Sequence, residues 1–203
     1  RCPDGRAIFV RGALLGEEVD VLATEERKKF LRGRIISILE PSDHRVSPFC
    51  SHVQDGCGGC NLQHADAELQ KQIKLRIAKE AIERVGKFDA VPIKYGGCIE
   101  PVGYRTTVRC SVLDGKAGMR GFRSHDHIPL SSCGVAHERV EEIMTKSYFG
   151  DTEEVVIRTS ILTGKSLAIV SNFDRSIETV EDVQVISFDQ LRKGHSANIV
   201  EQV

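Results

Sequence analysis

At 203 residues the chain has room for one domain or two small ones, and its 40% hydrophobic residues suffice for a packed core. A formal net charge of -1, with 5% aromatics and no Trp, gives no overall attraction to nucleic acid, so RNA contact would need clustered charge. No apolar run approaches the roughly 20 residues that span a bilayer and no N-terminal targeting pattern is seen, which predicts a cytoplasmic protein with no membrane partner.

Residues 1–48 read as a small all-β unit. Asp4-Gly5 turns into a strand over Ala7 to Val10, Gly12 and Gly16 punctuate, Glu18 to Thr24 alternates as a second strand, and Phe30 to Leu39 makes a third. Short strands without a helix predict a small barrel, which opens at Arg1 without the strand expected upstream. Arg27, Lys28, Lys29, Arg32 and Arg34 gather the local positive charge that phosphate contacts require. Glu25 and Glu26 beside them leave a plain solvated strand and turn as the alternative.

Three cysteines then crowd into eleven residues, with six residues between Cys50 and Cys57 and two between Cys57 and Cys60. The Gly58-Gly59 pair lets both thiolates turn toward one centre while backbone N–H groups face the sulfurs. A tetrathiolate site needs a fourth ligand, and Cys133, between a strand end and a helix start, is the best candidate. A Cys57/Cys60 redox pair would leave Cys50 without a role, and two disulfides suit neither the seven cysteines nor a reducing compartment. Structural zinc and an iron-sulfur cluster both remain open on these grounds.

Residues 65–88 carry the clearest helix. Asp66 caps it, Leu69, Ile73, Ile77, Ala81 and Val85 recur at helical spacing, Leu75 and Ile82 widen the stripe, and Gly86 closes it. Residues 89–203 read as mixed α/β. A strand over 104–113 turns at Asp114-Gly115 and returns over Gly118 to Arg123, and Ile128 leads to Cys133. A helix follows over Val135 to Tyr148. Then come a hairpin of Val155 to Thr159 with Ser166 to Ser171, and strands over Gln184 to Phe188 and Asn198 to Val203. A sheet with helices on one face fits an α+β domain. Arginines beside aromatics at Tyr104-Arg105 and Phe122-Arg123 suit phosphate and an unstacked base, although each alone could be a surface charge or a core aromatic. His125 and His127 are read as outer contacts of the metal or the RNA, since four thiolates complete a site.

Cys50-x6-Cys57-Gly-Gly-Cys60-Asn-Leu-Gln-His64, a long helix, Pro101-Val-Gly-Tyr104-Arg105, Gly121-Phe122-Arg123 and Cys133, in this order, resemble the RumA/TrmA family of S-adenosylmethionine-dependent RNA (uracil-C5) methyltransferases. The likeness covers essentially the whole chain and is nearest to the 23S ribosomal RNA branch, whose members carry a 4Fe-4S cluster and an N-terminal TRAM domain. The first cysteine gap is one residue longer here than in several members, a residue that an Asp55-Gly56 turn absorbs.

The resemblance implies a mixed fold: an OB-like TRAM barrel over 1–48, a cluster loop over 49–64, a long helix over 65–88 and an α+β central RNA-binding domain over 89–203. It implies cluster ligation by Cys50, Cys57, Cys60 and Cys133, and RNA contact by Lys28, Lys29, Arg32, Arg34, Arg105, Arg109, Arg120, Arg123 and Phe122. In the family a cysteine attacks uracil C6, C5 takes the methyl group, and a carboxylate removes the C5 proton. That chemistry lies downstream, and no Gly-rich strand-to-helix loop is found here. Cys98 and Cys110 lack an activating base nearby. The expectation is therefore a chain without its catalytic Rossmann-like domain, holding no catalytic or S-adenosylmethionine-binding residue, inactive alone, with the helix 65–86 surface left for another chain. A stand-alone zinc-binding OB-fold RNA adaptor without enzymatic activity is the alternative.

Overall fold

Strands β1 (Ala7–Arg11), β2 (Glu18–Glu26) and β3 (Phe30–Glu40) form a three-stranded sheet in the order β1-β3-β2 in the computed structural model, which describes residues 4–193. β2 and β3 pair antiparallel across the turn at 27–29, and β1 lies parallel to β3. Three register shifts along β2 mark bulges that sharpen the local twist. Among the described residues this sheet has three strands, where a full OB-type barrel has five.

The chain divides into two compact units, Arg1–Pro48 with Asn61–Gly96, and Phe49–Cys60 with Gly97–Val203. In the first, Leu14, Ala65 and Leu69 are buried together with Ile73 against them. Leu69 and Ile73 come from α1 (Ala67–Glu80), whose N-cap Asp66 accepts from the Leu69 N–H at 2.8 Å. The helix ends in a π turn over Ala81–Val85, and Gly86 keeps a right-handed φ of -72° instead of the left-handed stop expected of it. The apolar stripe continues past its cover, with Ile77 60% and Val85 83% exposed.

The second unit holds a six-stranded mixed sheet. β4 (Thr107–Leu113), β5 (Lys116–Arg120), β6 (His127–Pro129), β7 (Glu154–Thr159), β8 (Ser166–Val170) and β9 (Val183–Ser187) lie in the order β6-β5-β4-β7-β8-β9. All neighbours are antiparallel except β8 and β9. Alternation places Cys110, Val155, Ile157, Ala168 and Val170 on one face, where α2 (Glu138–Lys146) lays Val140, Ile143 and Met144. A short helix α3 (Phe188–Arg192) follows β9, started by a Ser187/Gln190 capping box. The hairpin expected around Thr163-Gly164 forms between β7 and β8. The strand expected over Asn198 to Val203, and Cys2, lie outside the described residues. No helix among the described residues is long and apolar enough to cross a membrane.

Candidate metal centre and nucleic-acid interface

All four predicted ligands fall in the second unit. Cys50 precedes a single 3-10 turn, Ser51–Val53, and the loop then pairs with the end of β5. Gly58 N–H donates to the Arg120 carbonyl at 2.9 Å, Phe122 N–H to the Gly56 carbonyl at 3.2 Å, and Cys57 bridges Gly121. Only a glycine allows this approach, since a Cβ at Gly58 would sit 2.8 Å from the Arg120 carbonyl oxygen. Two side chains fix the loop further. Arg105 Nη2 donates to the Gly59 carbonyl at 3.0 Å. His52, 8% exposed, has Nδ1 3.0 Å from the Asp55 carboxylate, and its Nε2 accepts from the Ser131 N–H at 3.3 Å. His52 thus ties the first cysteine stretch to the segment that carries Cys133.

Taken together the surroundings raise the Cys133 thiol above its ordinary value, although N–H groups face two of the sulfurs. Gly59 N–H points at Cys57 Sγ at 3.4 Å. Burial pushes the Cys133 thiol up; the N–H groups of Ala136 and Val135 pull it down, and the nearby Cys60 and Cys50 push it up again. Burial works against the charge on Arg105, but the Tyr104 hydroxyl and the Cys60 and Cys133 thiols outweigh it and raise the Arg105 pKa. Cys133 therefore lies within electrostatic reach of Cys50, Cys60 and Arg105. Among the described residues, no group of three or more His, Cys, Asp or Glu side chains is placed to hold a metal ion. Four cysteines are the number of ligands that a 4Fe-4S cluster takes.

The predicted RNA-facing residues separate into three places. Arg109, Arg120, Phe122 and Arg123 line one cavity of about 250 Å³ together with Met119. Arg105 is half-buried against the cysteine loop and belongs to its support. In the first unit Lys28 and Lys29 are exposed on the turn after β2, Arg34 is exposed on β3, and Arg32 pairs with Glu25 at 3.1 Å. His125, in the loop between β5 and β6, accepts at Nδ1 from Arg120 at 2.7 Å, and His127 Nδ1 on β6 lies 3.0 Å from the Ser111 hydroxyl. Sequence reasoning missed His52, whose i,i+3 spacing to Asp55 was legible, and Glu154, which pairs with Arg109 at 3.2 Å and Arg120 at 3.7 Å and whose role no local pattern announces.

Comparison with known proteins agrees with this layout. Residues 1–36 match the model of the TRAM domain. The chain is 33% identical to an uncharacterized RNA methyltransferase of Caldanaerobacter subterraneus subsp. tengcongensis, over 82% of this chain and 41% of that one. It is 34% identical to the 23S rRNA (uracil(1939)-C(5))-methyltransferase RlmD of Vibrio campbellii, over 70% of this chain and 34% of that one. The chain is a relative of the RNA (uracil-C5) methyltransferases. It spans less than half the length of these curated family members.

The family likeness extends to the fold. The crystal structure of the Pyrococcus abyssi tRNA (uracil-54, C5)-methyltransferase in complex with S-adenosyl-L-homocysteine matches with a TM-score of 0.51 at 19% identity, covering 84% of this chain and 43% of that one. This corrects the fold class expected from sequence. A match to a methyltransferase over 84% of the chain, together with the six-stranded mixed sheet, overturns the expectation that a catalytic Rossmann-like domain is absent. The inactivity expected of the chain loses its ground with it.

Proposed function

We propose that this chain recognises RNA and binds an iron-sulfur cluster for an S-adenosylmethionine-dependent RNA (uracil-C5) methyltransferase acting on 23S ribosomal RNA in the cytoplasm. The observation that carries the reading is the Ser131 N–H donating to His52 Nε2 at 3.3 Å, which brings the stretch with Cys50, Cys57 and Cys60 beside the segment that carries Cys133, with the Gly59 N–H turned to Cys57 Sγ. Cys50, Cys57, Cys60 and Cys133 would hold the 4Fe-4S cluster, which when bound supplies iron-thiolate bonds that lock the loop to the sheet. Arg105 offsets the negative charge of the thiolate set while its guanidinium holds the Gly59 carbonyl. Zinc is the weaker reading, since tetrahedral bonds of about 2.3 Å demand a closer group of sulfurs.

The test is anaerobic reconstitution of the full chain with ferrous iron and sulfide. A brown protein with broad visible absorption, holding equal iron and sulfide and losing both in Cys133→Ser, is expected. A colourless protein that takes up zinc alone would overturn the cluster. Binding to a hairpin of 23S ribosomal RNA, weakening steeply with salt, is expected in parallel.

A further inference from the structure

The cavity of about 250 Å³ next to the cysteine loop has a composition that protein packing does not explain. Phe122 is 38% exposed at its mouth, and the Arg123 guanidinium lies over its ring at 5.5 Å. Arg123 reaches that position from a left-handed backbone, φ 55°, which a residue with a side chain adopts at a cost and which recurs at binding sites. An aromatic ring and a guanidinium plane side by side are the two surfaces on which unstacked RNA bases settle. The volume falls below the roughly 300–1,000 Å³ of clefts that enclose drug-sized ligands, so it takes one base and not a longer segment.

Charge gives the direction. Arg109 and Arg120 share a single carboxylate, Glu154, and Arg123 adds a third guanidinium, so the cavity carries an excess of positive charge at phosphate distance from Phe122. A second cavity shares Arg109 and Arg120 and adds Arg192, but balances these three guanidiniums with the carboxylates of Glu153, Glu154 and Asp189, whereas no carboxylate among the described residues lines the Phe122 cavity. An RNA strand is thus directed to the Phe122 side.

The shape of this cavity depends on the cysteine loop. Gly58 forms part of its wall, and the Gly58 N–H to Arg120 carbonyl and Phe122 N–H to Gly56 carbonyl hydrogen bonds fix both ends of the turn that presents Phe122. We infer that Arg109, Arg120, Phe122 and Arg123 form a subsite for one unstacked base of single-stranded RNA and its phosphate, held in shape by the main chain of the cysteine loop. The inference rests on the RNA-binding reading above and names where on this unit a base is taken.

Fluorescence anisotropy of the full chain with a labelled, uridine-rich single-stranded RNA tests it. Phe122→Ala is expected to weaken Kd about 5- to 150-fold, as stacked bases lose on alanine substitution, and Phe122→Tyr to restore it. Arg123→Ala should weaken binding and lower the salt slope by about 1. Gly58→Ala should weaken binding though it removes no RNA-contacting side chain; the exposed Phe122 and Arg123 variants keep the test decisive if Gly58→Ala unfolds. Unchanged affinity in Phe122→Ala and Arg123→Ala, with loss in a Lys28→Ala, Lys29→Ala double variant, overturns the subsite and leaves RNA binding standing. No RNA binding by the wild-type chain overturns both.

Discussion

Arg45 holds the Glu17 carboxylate on both oxygens, Nε to Oε1 at 2.5 Å and Nη2 to Oε2 at 2.7 Å, with the Glu17 side chain shut off from solvent. The N–H groups of Leu14 and Ser42 add two more donors at 2.7 and 3.2 Å. The guanidinium is the main cause that lowers the Glu17 pKa from 4.5 to about 2. A carboxylate depressed in the folded state adds stability above its unfolded value, and that stability is lost as pH falls through the folded one. The first unit is therefore expected to lose about 3 kcal/mol between pH 4.5 and about 2. Denaturant titrations across that range check it, and Glu17→Gln should remove most of the pH dependence there.

Ile143 is fully buried between α2 and the six-stranded sheet. Ile143→Ala should cost about 2–5 kcal/mol, a combined loss of transfer energy and packing. Ile77→Ala, at a position 60% exposed, should stay within about 0.5 kcal/mol. Thermal denaturation of both variants against the wild type makes the comparison; equal losses would contradict the burial described for α1 and α2.

Cysteine reactivity should follow burial. The Cys110 thiol lies in the sheet core, and desolvation pushes its pKa up to about 12, whereas Cys98 is exposed. Since the thiolate is the reactive form, iodoacetamide at pH 8 is expected to label Cys98 quickly and Cys110 only after unfolding. Mass spectrometry of timed digests reads the two rates.

Gly115 turns the chain from β4 to β5 at φ 73°, after Asp114 at φ 50°, the pair of positive angles that a tight two-residue hairpin requires. A Cβ at Gly115 would also meet the Tyr148 ring at 2.0 Å. Gly115→Ala should destabilise the second unit by more than about 1 kcal/mol, even with the ring swung aside. A drop in the unfolding midpoint without a change in m-value would confirm it.

Local signals carried much of this fold. Asp66 with the Leu69, Ile73 spacing marked α1, Asp114-Gly115 and Thr163-Gly164 marked two hairpins, and alternation marked β2. Long-range relationships were silent. Nothing near Ala7 says that β1 lies parallel to β3, nor anything near Val183 that β9 runs parallel to β8. The contact of Arg105 with the Gly59 carbonyl was equally silent, since its partner lies 46 residues away in sequence. Glu154 was missed for the same reason, since its two arginines come from different strands.

The bridge between Cys57 and Gly121 also sets an order of events during synthesis. A segment of more than sixty residues must emerge from the ribosome before the loop finds its place, and Cys133 follows later still. Until then the three early thiols travel on a nascent chain with nothing to align them, open to oxidation and to stray metals. A cluster held by all four thiols, as proposed above, could be loaded only after residue 133 is made, which would couple maturation of the protein to the pace of its own translation.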